Sequence, residues 1–284
     1  MTVVRAGALT TVQDAGRAGW ARLGVPRSGA LDRGAHACAN RLVGNPADAA
    51  GLETTLDGVG LRTGAEPVVL AVVGAPCAVR AGGRPAPWGA PFRVPARTVV
   101  EVGPAVAGVR AYVAVRGGFA VPETLGSRST DLLSGLGPAP LAVGDELPVG
   151  PAPLAPPDRT PPALPAPPVE LVLPVHPGPR ADWFTAASVR ALWAGTHRVS
   201  ATSNRIGLRT EPESPLVRAR EGDLPSEGVV LGAVQVPPDG RPLVFLADHP
   251  VTGGYPVLGV VPAAALDRAA QARPGARLRF VPAR

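Results

Sequence analysis

Polar residues framed by glycines recur in the last third of the chain, and they are of the types that bind and convert small polar molecules. They lie in the segments Ser203 to Arg209, Ser226 to Gly228, Gln235 to Pro237 and Asp248 to Pro256. These segments supply amide, hydroxyl, carboxylate and guanidinium groups and one imidazole, separated by apolar stretches. Glycine lets a backbone turn tightly or approach a ligand closely. Ordinary core packing does not require this mixture of residue types, which therefore indicates a ligand site.

The pair Asp248 and His249 directly follows an apolar segment, residues 243–247, and precedes the turn at Gly253 and Gly254. A carboxylate and an imidazole at the end of a strand lie where a β-barrel opens, and histidine acts as acid, base or donor near neutral pH. The alternative is that Asp248 caps the turn and His249 packs beside it. The sequence alone leaves both interpretations open.

Arg205 and Arg209 are four positions apart and are accompanied by Ser203 and Asn204. Two guanidinium groups from one loop are suited to bidentate binding of a carboxylate or a phosphate, and the neighbouring polar groups would orient it. The alternative is a loop held by ion pairs, with Glu211 or Glu213 as partner. The additional Ser and Asn favour ligand binding.

A second cluster of polar residues lies near the N-terminus. Asp14 and Arg17 belong to the segment Thr11 to Arg17, and Asp32 closes the nearby segment Pro26 to Asp32. An Asp and an Arg three positions apart more often form a structural ion pair than a catalytic one. This cluster is therefore the second choice for a site.

Composition excludes several classes of function. All 28 basic residues are arginine, so the chain has no lysine to serve a Walker loop, carry biotin or form a Schiff base. The net charge is +6, but the arginines are dispersed and aromatic residues make up 4%, which argues against nucleic-acid binding. The histidines and the two cysteines lack metal-ligand spacing, and we predict no metal site. The longest apolar run, residues 68–73, is far too short to cross a membrane, so we expect a cytoplasmic protein.

A stretch rich in proline and alanine divides the chain. Residues 148–168 contain ten prolines and are predicted to form an extended, semi-rigid linker. The linker separates an N-terminal β-rich half, residues 1–147, from a C-terminal β-rich half, residues 169–284. We predict that each half is a β-barrel or sandwich with one or two helices.

Short β-branched segments bounded by Gly or Pro predict the strands. They are residues 68–73, 98–102, 109–115, 170–175, 198–202, 228–236, 243–247, 257–261 and 277–281. A helix capped by Ser28 is predicted to end at Gly44-Asn45, and shorter helices are predicted at residues 186–193 and 263–270. The predicted fold class is mainly β with a few short helices.

Taken together, these motifs resemble the family of the 5-oxoprolinase C subunit, also called the biotin-dependent carboxyltransferase or allophanate hydrolase subunit 2 family. The resemblance follows the chain in order through Thr11 to Arg17, Gly24 to Asp32, Ala39-Asn40, Gly44-Asn45, Glu53, Gly74-Ala75, Gly117-Gly118, Gly126 to Thr130, Gly144-Asp145, Ser203 to Arg209, Ser226 to Gln235, Asp248 to Pro256 and Gln271 to Gly275. It implies a two-part, cyclophilin-like β-barrel architecture.

The resemblance also implies a reaction: the ATP-driven conversion of 5-oxo-L-proline and water into L-glutamate, carried out with the B and A subunits of 5-oxoprolinase and active only in that complex. ATP would be bound with or by the partner subunits, and biotin would not be attached to this lysine-free chain. The site residues that we predict from the chemistry of their side chains have two roles. Catalytic roles fall to Asp248, His249, Arg205 and Tyr255, and substrate binding to Ser203, Asn204, Arg209, Glu227, Gln235, Thr252, Gly253 and Gly254.

Two other functions remain open at this stage. One is the carboxyltransferase half of a biotin-dependent system that acts on urea or another amide. The other is a non-catalytic regulator that binds a kinase inhibitor related to the 5-oxoprolinase B subunit. The close spacing of polar residues from Asp248 to Tyr255 argues against pure scaffolding.

Overall fold

The computed structural model describes residues 1–153, 155–158, 160, 163, 165–222 and 224–283. The chain folds into two compact units. The first contains residues 1–17, 28–131 and 135–167, and the second contains residues 18–27, 132–134 and 168–284. Five residues of the predicted linker lie outside the described residues: Leu154, Arg159, Pro161, Pro162 and Leu164. Its described residues are in neither helix nor strand, and the boundaries taken from the sequence stay a prediction.

Two antiparallel sheets and one helix make up the regular structure described in the first unit. The first sheet has the order β1-β4-β9-β6-β7 and the second β2-β3-β10-β5-β8. The elements are β1 (Thr2–Arg5), β2 (Leu9–Gln13), α1 (Arg33–Val43), β3 (Gly51–Thr55), β4 (Gly60–Arg62), β5 (Val68–Gly74), β6 (Cys77–Ala81), β7 (Arg84–Ala86), β8 (Phe92–Val94), β9 (Val99–Ala105) and β10 (Arg110–Val115).

Strands β5 and β10 are buried on both faces, because their apolar residues do not alternate with polar ones. Leu70, Val72 and Val113 contribute to the core shared with the first sheet. The intervening residues, Ala71 and Tyr112 among them, pack against α1. Successive side chains of a strand point to opposite faces, so an unbroken apolar run covers both layers. The sequence prediction of these strands is confirmed.

The N-cap of helix α1 lies four residues later than predicted. Asp32, and not Ser28, is the N-cap: its Oδ1 accepts the N–H of Ala35 at 2.9 Å. Ser28 has a φ of 55° and donates its hydroxyl to the Thr130 carbonyl oxygen at 3.0 Å. Asp is as good a cap as Ser, so the residue type did not decide between them. Gly44 ends the helix in the left-handed conformation, as predicted.

The second unit is built on a closed barrel with the strand order β11-β18-β15-β16-β13-β12-β19 and a separate two-stranded sheet, β14-β17. Its elements are β11 (Glu170–Pro177), α2 (Ala186–Ala194), β12 (His197–Val199), β13 (Gly207–Pro212), β14 (Glu227–Gly228), β15 (Ala233–Gln235), β16 (Leu243–Phe245), β17 (Thr252–Gly253), β18 (Val257–Val260), α3 (Ala263–Ala270) and β19 (Arg277–Pro282). No described helix of either unit is long and apolar enough to span a membrane.

The predicted strand at residues 228–236 is two strands. Gly232 has a φ of 82°, and its N–H donates to the Phe245 carbonyl oxygen at 2.9 Å. This left-handed turn separates β14 from β15. The region around Arg209, which we expected to be a loop, contains β13. Helix α3 has the predicted bounds and α2 extends one residue further.

One face of the barrel sheet is covered by the antiparallel strand pair β14-β17, whose strands are separated in the chain by β15 and β16. We use the name hairpin for this pair. Val229, next to β14, clusters with Ala233, Leu243 and Phe245 and with the half-buried Val257. Val234 and Val244 alternate with these residues and are fully buried on the opposite face. We call the first surface the hairpin face. Gln235 and Gly253, from two of the glycine-framed segments, meet on this face.

Candidate functional site

Strand register aligns two of the predicted site residues on the hairpin face. Arg209 in β13 is opposite Leu243 in β16, which is opposite Gln235 in β15. Residues directly opposite each other in adjacent strands share a face, and strands lie about 4.8 Å apart, so Arg209 and Gln235 are about 10 Å apart across the sheet. Gln235 is buried, whereas Arg209 is exposed. The pairing connects two segments that are distant in sequence and defines the floor of the candidate site.

The glycine-rich hairpin lies against Gln235. The Gln235 amide Nε2 donates to the Tyr255 carbonyl oxygen at 3.1 Å. A Cβ atom added at Gly253 would lie 2.8 Å from the same Nε2, closer than real Cβ contacts allow. Glycine at position 253 therefore permits the approach of the hairpin to β15. Gly254 passes near Leu224 and Ser226, with the nearest atom to an added Cβ at 3.3 Å.

Glu227 and Thr252 complete the hairpin from its two strands. Gly228 is opposite Thr252, and Glu227 is opposite Gly253. Glu227 is half-buried and forms an ion pair with Arg180, whose Nε donates to its Oε2 at 3.1 Å. Glu227 thus anchors the hairpin to the segment before residue 181, while Thr252 is exposed. Arg180 was not predicted as part of the site.

Arg205 and Asp248 form a buried ion pair. Nε and Nη2 of Arg205 donate to Oδ2 and Oδ1 of Asp248, each at 2.9 Å, and the side chains are 1% and 0% exposed. The Leu132 N–H also donates to Oδ2, at 3.1 Å. The Asp248 N–H in turn donates to the Arg205 carbonyl oxygen. The ion pair joins the loop before β13 to the segment after β16. Two groups to which the sequence analysis assigned catalytic roles are therefore bonded to each other.

His249 lies on the same side as the hairpin face. Its ring centroid is 5.9 Å from that of Phe245. Nδ1 is 2.6 Å from the Pro250 carbonyl oxygen. A carbonyl oxygen only accepts, so Nδ1 carries the hydrogen and Nε2 is the basic nitrogen of the neutral ring. The contact with Phe245 agrees with a packed ring, and the fixed tautomer leaves the interpretation as an acid or base open.

The loop before β13 stabilises its own turn. Asn204 Oδ1 accepts the N–H groups of Ile206 at 2.9 Å and Gly207 at 3.2 Å. Ser203 Oγ accepts the Arg209 N–H at 3.1 Å. Asx turns of this kind fix a backbone without a ligand. The roles of Ser203 and Asn204 in substrate binding stay a prediction.

The second-choice cluster divides into separate interactions in the first unit. Asp14 Oδ1 accepts the hydroxyls of Ser127 at 2.7 Å and Ser129 at 2.6 Å, and Oδ2 accepts the Arg128 N–H at 2.6 Å. Burial opposes ionisation, but these hydrogen bonds outweigh it and hold the pKa of Asp14 below its usual value. Asp14 therefore organises the loop at residues 127–129.

Arg17 and Asp32 do not join Asp14 in one constellation. Arg17 donates through Nη2 to the Ser129 carbonyl oxygen, and its Nη1 lies 3.9 Å from Asp131. Asp32 caps α1, and its N–H donates to the Tyr112 hydroxyl at 2.8 Å. The ion pair expected between Asp14 and Arg17 is not formed, because each side chain binds the loop at residues 127–131 instead.

Arg218 is a further residue of the hairpin region that sequence reasoning missed. Its guanidinium carbon lies 5.9 Å from the centroid of the Tyr255 ring, and its Nη2 donates to the Val236 carbonyl oxygen at 3.3 Å. No sequence motif surrounds Arg218. Its segment is positioned by tertiary contacts, which include the bridge to Phe184 and the hydrogen bond from the Val217 N–H to the Ser188 hydroxyl oxygen at 2.8 Å. Among the described residues, no cluster of three or more His, Cys, Asp or Glu is suited to hold a metal ion.

The hairpin face brings together an imidazole of fixed tautomer, a buried amide and a glycine-rich strand pair. The chain belongs to the family described as carboxyltransferase domain, subdomain A and B, whose model matches residues 23–282. The mainly β, two-part architecture predicted from the sequence is likewise confirmed, since a solved structure of 31% sequence identity shares it.

Two curated relatives and one crystal structure illustrate the range of the family. The 5-oxoprolinase C subunit of Escherichia coli (strain K12) is 35% identical over 291 residues, 99% of this chain and 90% of that protein. The urea amidolyase of Lachancea kluyveri is 35% identical over 309 residues, 99% of this chain and 17% of that protein. The crystal structure of the K. lactis urea amidolyase matches with a TM-score of 0.90 and 31% identity, over 99% of this chain and 18% of that one. The chain thus spans less than a fifth of these urea amidolyases.

Proposed function

We propose that this chain is the C subunit of an ATP-dependent 5-oxoprolinase, which converts 5-oxo-L-proline and water to L-glutamate together with its A and B subunits. The observation that carries the proposal is the match to the C subunit of E. coli, which extends over 99% of this chain and 90% of that protein. The urea amidolyases share the same region as a minor part of a much longer chain.

The residues of the hairpin face suit work on a lactam carbonyl. A lactam is resonance-stabilised, and ATP supplied through the partner subunits would activate it by phosphorylation. On this chain, His249 holds its basic Nε2 in a fixed orientation through the Nδ1 contact with Pro250. Positioned imidazoles accept and return protons with a contribution of about 10²–10⁴-fold in rate. Gly253 lets its strand pack against Gln235, whose amide donates to the Tyr255 carbonyl oxygen.

The buried pair of Arg205 and Asp248 supports the site from beneath. Because the Arg205 guanidinium is bonded twice to Asp248, we assign these two residues to positioning rather than to substrate contact. Asp248 precedes His249 directly, so the pair fixes the backbone from which the imidazole projects. The lysine-free chain has no amine for biotin attachment, and any carboxybiotin would come from a partner.

The test is glutamate release from 5-oxoproline and ATP by this protein reconstituted with candidate A and B subunits, with each omitted in turn. We expect turnover only when all three are present, and a drop of about 10²-fold or more for His249→Gln. His176→Gln, at an exposed histidine of β11, is the matched control. A complete complex that forms and releases no glutamate would overturn the proposal.

The alternative is the carboxyltransferase part of a system that acts on urea, and the fold similarity to the K. lactis urea amidolyase is the observation that favours it. Transfer of a carboxyl group from carboxybiotin to urea, measured with the same protein, distinguishes the two. Binding to the B subunit without turnover of either substrate would instead favour the regulatory function.

A further inference from the structure

Arg218 is a cation held in place without a counter-charge among the residues that the structure describes. Its Nη2 donates to the Val236 carbonyl oxygen at 3.3 Å, and its Nε is buried without a hydrogen-bond acceptor. Nη1 makes no hydrogen bond to a described residue and reaches solvent. Of the five N–H donors of the guanidinium, one is therefore satisfied by the described part of the chain. The side chain is oriented but not neutralised.

Four arginines of the second unit differ from Arg218 in this respect. Four in the second unit face a carboxylate within ion-pair distance, and their pairs are Arg180 with Glu227, Arg205 with Asp248, Arg220 with Asp182 and Arg279 with Glu170. Within the residues that the structure describes, Arg218 has no such partner. A partly buried cation without a carboxylate partner has lost part of its hydration, and a bound anion would compensate for that loss.

Tyr255 holds Arg218 at the edge of the hairpin face. The guanidinium carbon lies 5.9 Å from the ring centroid, and Tyr255 is 42% exposed. The Tyr255 carbonyl oxygen is the acceptor for Gln235, so the same residue connects Arg218 to the floor of the site. A cation over an aromatic face is oriented by the ring quadrupole while its nitrogens remain available to a ligand.

We propose that Arg218 is the carboxylate-binding residue of the hairpin face and that it selects an anionic substrate over a neutral amide. The inference rests on the proposed function. The substrate of a 5-oxoprolinase carries a carboxylate beside its lactam, whereas urea carries none. A guanidinium matches a carboxylate through two parallel N–H···O bonds, a geometry that an ammonium does not reproduce.

The direct test is binding, measured by ligand-detected NMR with the full-length chain, alone and together with the B subunit. The probes are 5-oxoproline, the uncharged lactam 2-pyrrolidinone, and urea. We expect 5-oxoproline to bind, and Arg218→Gln to weaken its binding by at least about tenfold while leaving the weak binding of the two neutral probes unchanged. Arg218→Lys should recover only part of the affinity.

Arg190→Gln is the matched control, because it removes the same charge from an exposed position on α2 of the same unit. Binding of 5-oxoproline that is unchanged in Arg218→Gln, or equally weakened in Arg190→Gln, would overturn the proposal. So would the absence of 5-oxoproline binding with and without the B subunit. Thermal unfolding of each variant separates loss of binding from loss of fold.

The two proposals fail in different ways. If the reconstituted complex releases no glutamate but the chain binds 5-oxoproline through Arg218, the proposed function is wrong and the carboxylate site stands. If glutamate is released with an unchanged KM in Arg218→Gln, the function stands and the assignment of Arg218 is wrong. The supporting result is a KM for 5-oxoproline raised at least about tenfold in this variant, with KM for ATP unaffected.

Discussion

Arg205 and Asp248 are joined by two parallel hydrogen bonds of 2.9 Å, and neither side chain reaches solvent. Removal of Arg205 breaks this buried ion pair, and breaking a buried ion pair by removing one partner costs about 3–5 kcal/mol. We therefore expect Arg205→Ala to lower the free energy of unfolding by that amount in urea denaturation.

Arg209→Ala is the matched control for Arg205, because this exposed arginine is four residues away and its loss should change the unfolding free energy by less than about 0.5 kcal/mol. The double variant Arg205→Met, Asp248→Leu removes both charges and should be more stable than the single variant. Equal unfolding free energies for Arg205→Ala and Arg209→Ala would contradict the assigned role of the pair.

Gly253→Ala should displace the hairpin. The added Cβ would lie 2.8 Å from the Gln235 Nε2, so the amide must move away from the Tyr255 carbonyl oxygen. Loss of that hydrogen bond costs about 0.5–1.5 kcal/mol. Urea denaturation measures the change, and the proposed reaction should show a raised KM. Gly228→Ala, where nothing lies within 4 Å of an added Cβ, should have little effect. The prediction is wrong if the two alanine variants behave alike.

Acid should destabilise the protein through its buried histidines. Burial lowers the pKa of His197 and of His36 below 6.5. The unfolded chain therefore takes up these protons first as the pH falls, so the stabilisation is complete above about pH 6.5 and is lost as the pH falls through the folded-state pKa values. The slope approaches about 1.4 kcal/mol per pH unit for each histidine that is protonated only on unfolding.

The variant His197→Leu isolates one of these contributions. It removes a ring that packs edge-on against Phe280 at 5.0 Å between centroids, so its absolute stability will also change. The informative quantity is the slope of the unfolding free energy between pH 7 and pH 5, which should be shallower than in the wild type. A wild-type slope in His197→Leu, or a reduced slope in the exposed-site variant His176→Gln, would count against this explanation.

Asp32→Ala should destabilise the first unit by about 1 kcal/mol, because it removes the acceptor for the first turn of α1. Asp32→Asn keeps an acceptor and should retain most of the stability. Chemical denaturation of both variants measures the difference. Equal stability of Asp32→Ala and Asp32→Asn would show that Asp32 does not stabilise α1 as its N-cap.

Local sequence patterns predicted the helices and strands whose ends are marked by Gly or Pro. Helix α3 occupies the predicted residues 263–270, and β5 and β10 coincide with β-branched runs that Gly or Pro delimit. Strand β13 was missed because Arg209 and Glu211 are polar and exposed on it. Its strand character comes from pairing with β12 and β16, which no local window contains.

The candidate site was predicted only in part, because local patterns do not show which distant segments come into contact. Glycine-framed segments identified Gln235, Gly253 and Tyr255, which do lie together. The ion pair between Arg205 and Asp248 depends on the distance between two chain segments, so the residue types alone suggested chemistry for groups that are bonded to each other. Arg218 carries no local signal, because its importance arises from the ring it packs on and from the lack of a carboxylate partner among the described residues.

The Leu132 N–H that donates to Asp248 precedes its acceptor by 116 residues in the chain. During synthesis, residues 18–27 and 132–134 leave the ribosome long before the barrel strands of the second unit to which they belong. Most of the first unit is then already made. The barrel of the second unit can therefore close only after its last strand, β19, has been synthesised. Until then, residues 18–27 and 132–134 remain connected through the chain to the first unit, which can fold earlier.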